Sequence, residues 1–142
     1  MKIRPTALLL VLLTAATVVH SKECTQAEGI AAEEQTDYLD SWTKVYHAYV
    51  RYGHCDDGGV AEGYSDAVVK LLSRRWKRLG ELASLIGRDS TFGKFVFRHI
   101  DETADTNDLV AIENLAKNKC PTDYGELCGR IAARIRRISN SA

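Results

Sequence analysis

Four cysteines, Cys24, Cys55, Cys120 and Cys128, constrain this chain more than any other feature. They follow an N-terminal stretch in which Lys2 and Arg4 precede an apolar run, Ala7 to Val19, that ends in Val19-His20-Ser21. That order of charged, apolar and small residues is the layout of a secretory signal peptide cleaved after Ser21. The run is too short for a permanent membrane span. Residues 1–21 are therefore expected to be removed, leaving 22–142 as one helical, disulfide-containing domain that is secreted or periplasmic. In an oxidising compartment four cysteines imply two disulfides, with three possible connectivities.

Which pairing is possible depends on the helices. Only two prolines occur, Pro5 and Pro121, and apolar residues recur at helical spacing almost throughout. Tyr38, Trp42, Val45, Tyr49 and Tyr52 step by four and three, and Val60 to Ile86 continues the pattern. Phe92, Phe95, Val96, His99 and Ile100 form a further stripe opened by Asp89 or Ser90 as N-cap, and Leu109, Ile112, Leu115 and Ala116 another opened by Asp105 or Thr106. Leu127, Ile131, Ile135 and Ile138 form the last, with Asp123 and Glu126 at capping-box spacing. No alternating strand pattern of useful length is present. The expected fold is all-α, a single compact domain of about five to six helices stapled by two disulfides.

A single helix from Thr25 to Tyr52 would be about 42 Å long, holding Cys24 far from Cys55. Disulfide bonding needs Cα atoms within about 7 Å. A break at Gln35-Thr36-Asp37 or at Asp40-Ser41, where capping residues cluster, folds this segment into a hairpin that brings Cys24 beside Cys55 and leaves Cys120 to Cys128. Crossed pairings to the C-terminal helix remain the rival.

Charge is unevenly spread. Lys22 to Asp66 carries 3 basic and 10 acidic residues, whereas Ala67 to Ala142 carries 14 and 9. This polarity favours association with a protein partner; a chain without an overall basic excess is not expected to bind nucleic acid.

The stretch Arg51-Tyr52-Gly53-His54-Cys55-Asp56-Asp57-Gly58-Gly59 concentrates site-forming residue types. Tyr52, Gly53, Cys55, Gly58 and Gly59 resemble the calcium loop of secreted phospholipases A2, a resemblance that implies backbone carbonyls around calcium and a catalytic histidine on the next helix. That helix, VAEGYSDAVVKLLSRRW, contains no histidine. His54, Asp56, Asp57, Glu62 and Asp66 offer metal donors, but their order does not match the alternating ligand spacing of an EF-hand loop. The stretch reads as a stapled corner, with Gly53 a left-handed C-cap, Asp56 or Asp57 capping the next helix, and Gly58-Gly59 relaxing the turn.

Glu62 and Asp66 share one helical face and are the pair an envelope hydrolase would use. His99 belongs to an apolar set and reads as a hydrogen-bonded histidine at the core edge. Trp42, Trp76, Tyr38, Tyr46, Tyr49, Tyr52 and Tyr64 could line a pocket for a small apolar ligand, as in the insect odorant-binding proteins, which this chain resembles in being exported, helical and disulfide-linked. It lacks that family's Cys-x-x-x-Cys pair. Arg130, Arg134 and Arg137 recur along the final helix, a stripe suited to carboxylate or phosphate on a partner. The leading expectation is a non-enzymatic exported binding protein without a cofactor, such as an immunity protein or inhibitor of an envelope-active enzyme. Its partner contacts are expected at Asp56, Asp57 and Glu62 on the acidic side and at Arg130, Arg134 and Arg137 on the basic side.

Overall fold

The computed structural model describes residues 22–141, and the expected signal peptide lies outside the described residues. Among these, seven α-helices follow one another: α1 Gln26–Thr36, α2 Trp42–Tyr52, α3 Gly58–Arg74, α4 Leu79–Arg88, α5 Ser90–Arg98, α6 Thr106–Asn118 and α7 Gly125–Ser139. Short 3₁₀ turns at Gly53–Cys55, Trp76–Arg78 and Thr122–Tyr124 join some of them, and no strand occurs among the described residues. No described helix is long and apolar enough to cross a membrane.

The first two helices form the hairpin that the cysteines require. Thr25 opens α1 with a capping box closed by Glu28, and Asp37 is its C-cap. Ser41 then opens α2 by accepting from the amide of Lys44. Both clusters of capping residues are thus used, one to end a helix and one to start the next. The hairpin places Cys24 and Cys55 at a Cα separation of 4.9 Å, and they are bonded. Cys120 and Cys128, at 6.1 Å, form the second disulfide around Pro121.

Two glycines set the approach of α1 to α3. A Cβ on Gly63 would lie 2.4 Å from Thr36 Cβ, and one on Gly59 would lie 2.7 Å from Glu33 Oε1. The missing side chains therefore form the contact surface of α3 against α1.

The stripe from Val60 to Ile86 is divided between two helices, which adds one to the expected count. The break falls at Arg75, whose backbone leaves the helical region at φ −124° and ψ 30°. It lets the buried Trp76 turn its indole N–H to the carbonyl of Lys119, 2.9 Å away at the end of α6. A buried indole needs that acceptor, and no local sequence signal announces it. Two smaller expectations are corrected. Gly53 is right-handed, at φ −61°, because the chain continues into a 3₁₀ turn that delivers Cys55 to Cys24. Asp123 and Glu126 form no capping box, because Asp123 lies within the 3₁₀ turn and α7 begins after Tyr124 without a side-chain cap.

The core is aromatic on one side and aliphatic on the other. Phe92 meets Tyr46 edge-on at 5.0 Å, and Phe95 lies 4.8 Å from Tyr49 and 5.0 Å from Tyr64. Trp42, Tyr64 and Phe92 are fully buried. On α7, Leu127, Ile131, Ala132, Ile135 and Ile138 face inward.

Candidate functional site

Helix α5 begins where Asp89 accepts from the amides of Thr91 and Phe92, at 2.9 and 3.1 Å. With Phe92, Phe95 and Val96 turned into the core, the 3.6-residue repeat leaves Lys94, Phe97 and Arg98 on one outer face. The same geometry on α7 puts Arg130, Ala133, Arg134 and Arg137 on a face beside the buried stripe. These two faces line one groove of about 540 Å³. Four arginines and one lysine line it together with a partly exposed Phe97, and among the described residues no carboxylate lines the groove.

The arginines are held in different ways. Arg130 lies with its guanidinium 4.4 Å above the Phe97 ring. Glu126 stands one turn before it, at the spacing for a helical ion pair, yet the described ion pairs do not include these two. Arg134 donates from Nε to the carbonyl of Ile100 at 2.7 Å. Arg98 is paired with Asp56. Elsewhere lysines close onto acids one turn earlier, as in Lys44–Asp40, Lys70–Asp66 and Lys117–Glu113. Lys94, Arg130, Arg134 and Arg137 have no such partner among the described residues, although Glu102 lines an adjoining depression with Arg134 and Arg137.

Behind the groove lies a buried polar clasp. His99 is 3% exposed; its Nδ1 is 3.0 Å from Ser65 Oγ and its Nε2 3.2 Å from the Asp56 carboxylate. Ser65 Oγ also donates to Asp101 at 2.8 Å. Carboxylates only accept, and a hydroxyl has one proton. With its single proton directed to Asp101, Ser65 meets the His99 ring through its lone pairs. Burial pushes the Asp56 carboxyl up, but the hydrogen bond and charge of His99 and the Arg98 guanidinium outweigh it and hold it below the usual range. Asp101 is also held low: its hydrogen bonds from Thr103 and Ser65 prevail over burial. The sequence marked His99 as a hydrogen-bonded histidine at the core edge, but Ser65 and Asp101 carried no signal because their partners are remote in sequence.

Serine, histidine and aspartate in this order invite comparison with a catalytic triad. The geometry does not support one here. Ser65 is 6% exposed and sits within α3, where helical bonding occupies the backbone amides that an oxyanion hole would need. Its proton is directed at Asp101.

The acidic residues expected to meet a partner are separated. Asp57 is exposed and caps α3 by accepting from Gly58, the one described residue with positive φ, at 51°. Glu62 lies on an exposed acidic face with Glu33, Glu34, Asp37 and Asp66. Asp56 does not belong to that face; its side chain is 7% exposed and is turned toward Arg98 and His99. Asp66 is exposed and paired with Lys70. The candidate metal donors are likewise dispersed, since the set that converges among the described residues is Glu28, His54 and Cys55. Cys55 is bonded to Cys24, and Glu28 is held down to about 2 by Lys22 and the Thr25 amide. Of the aromatics considered for a ligand pocket, Trp42, Tyr52, Tyr64 and Trp76 are core residues and Tyr38 is exposed.

No family model, curated protein or solved structure matches the chain.

Proposed function

We propose that this is an exported helical binding protein that acts by surface complementarity on a protein partner, as an immunity protein or an inhibitor of an envelope-active enzyme does. One observation carries the reading: α5 and α7 present five cations around a common groove with no lining carboxylate among the described residues. A merely solvated basic face is expected to intersperse both signs along its helices, as α3 and α6 do. Arginine forks donate to carboxylates in a fixed geometry and retain their charge at all physiological pH values. Two disulfides suit an oxidising compartment.

The test is affinity capture from the producer's envelope and culture extract with oxidised protein beside its Arg130→Ala/Arg134→Ala/Arg137→Ala variant. One captured protein, absent with the variant and inhibited after purification by the native form, is the expected result. Because Arg134 also bonds Ile100, a Lys94→Glu/Arg137→Glu variant separates loss of surface from loss of fold. Equal capture by all three forms, or capture of nothing, overturns the proposal.

A further inference from the structure

We infer that the α5–α7 groove takes an acidic peptide segment of the partner, one whose carboxylates recur about every 4.5–6 Å and accompany an apolar side chain. This deepens the function proposed above and rests on it.

The spacing comes from the helix. Arg130, Arg134 and Arg137 are separated by rises of about 6 and 4.5 Å along α7, and Lys94 and Arg98 by about 6 Å along α5. A matching anion must therefore be multivalent and extend for about 10 Å, which one small anion does not do. The floor narrows the class further. Phe97 and Ala133 line the groove together with the cations and are partly exposed, so a complementary ligand brings apolar atoms as well as charge. A peptide that places Leu or Phe among Glu and Asp residues provides that pattern. A uniformly sulfated or phosphorylated polymer satisfies the walls and leaves the floor without a complement.

The groove is also partly preorganised. Arg130 is stacked on Phe97, Arg134 is bonded through Nε to Ile100, and Arg98 is held by Asp56. Ordering a free arginine opposes binding through lost rotamer entropy, and these contacts impose much of that order before a ligand arrives. The bond at Arg134 Nε leaves its terminal amino groups to meet a carboxylate.

The experiment uses oxidised protein and fluorescein-labelled nonapeptides read by anisotropy. One peptide carries four glutamates around a central leucine, and the second replaces the leucine with glutamine. A sulfated oligosaccharide of equal charge competes in a third arm. The first peptide is expected to bind at least tenfold more tightly than the second, to resist the oligosaccharide, and to weaken as salt rises. An Arg130→Gln/Arg137→Gln variant, which leaves the Arg134 and Arg98 bonds intact, should weaken binding at least tenfold with an unchanged circular dichroism melt.

Equal affinity for both peptides, or displacement by the oligosaccharide at equal charge concentration, overturns the inference in favour of a plain polyanion surface. Saturable binding of a second copy of the chain to the groove overturns it in favour of self-association through the acidic α1–α3 face. Absence of binding by either peptide also overturns it. If partner capture still depends on the arginines in that last case, the binding-protein reading stands and the contact is with a folded surface of the partner.

Discussion

Replacing Gly63 by alanine tests whether α1 and α3 touch as closely as described. The new Cβ would lie 2.4 Å from Thr36 Cβ, 2.5 Å from Oγ1 and 2.6 Å from Cγ2. Ordinary carbon contacts begin near 3.5 Å, so the helices must part by about 1 Å. Thr36 cannot swing away cheaply, because it is β-branched and its hydroxyl donates to the Glu33 carbonyl at 2.7 Å. Separation of α1 is also resisted near its other end, where Cys24 is tied to Cys55. Overpacking of this kind costs about 1–3 kcal/mol, against about 1 kcal/mol gained by removing a glycine from a helix interior. The same substitution at Gly129, exposed on α7 with no atom within 4 Å of the new Cβ, has only the gain. Urea unfolding should therefore rank Gly129→Ala above the parent and Gly63→Ala below it, with about 2 kcal/mol between the variants. Adding Thr36→Ala should not rescue Gly63→Ala, because the shortest contact is to Thr36 Cβ. Equal stabilisation by both glycine substitutions would refute the close approach.

The two disulfides should be unequal. Their sequence separations are 31 and 8, and loop-closure entropy assigns about 3.7 kcal/mol to the longer and about 2.5 kcal/mol to the shorter. Melts of the Cys24→Ala/Cys55→Ala and Cys120→Ala/Cys128→Ala proteins should show the larger fall for the first pair, and the reverse order would contradict that assignment. Acid stability is a further test. Asp56 and Asp101 are held below their usual range when folded, so their contribution is present above the unfolded carboxylate range near pH 4 and is lost as pH falls through the folded values. An Asp56→Asn protein should be weaker at pH 7 and should lose less between pH 4 and pH 2, as read by denaturant midpoints; an acid limb parallel to the parent's contradicts this. Ser65→Ala removes the partner of His99 Nδ1 and one donor to Asp101, at a cost of about 1–3 kcal/mol. An unfolding free energy within experimental error of the parent's would show that the clasp does not hold these groups together.

What could be read from the sequence follows the range of the interactions. Asp89 and Asp105 act as N-caps at positions where either they or the next residue were expected, because a cap bonds within three residues. Cys24 meets Cys55 because the capping residues at Asp37 and Ser41 end one helix and begin another. Local reasoning failed where the determining partner was distant. The helix break at Arg75 answers to the Lys119 carbonyl, and the inward turn of Asp56 answers to Arg98 and His99. The candidate site divides in the same way: Arg130, Arg134 and Arg137 were visible as a stripe on α7, whereas Lys94, Phe97 and Arg98 join them only once α5 is packed beside it.

The clasp and the groove are connected through three consecutive residues. Arg98 is a groove cation, His99 is the centre of the clasp, and the Ile100 carbonyl orients Arg134. Asp56 reaches both the guanidinium and the imidazole from the corner stapled by Cys55. The end of α5 is thus fixed from α3, from the corner and from α7, and two of the groove's five cations inherit that fixation. Both nitrogens of His99 are engaged, one with Ser65 and one with Asp56, at the end of the helix from which the groove is built. Under the binding role proposed above, the arrangement serves to hold the charged groove rigid. It also makes Asp56 a positioning residue for the groove, although it belongs to the acidic half of the chain.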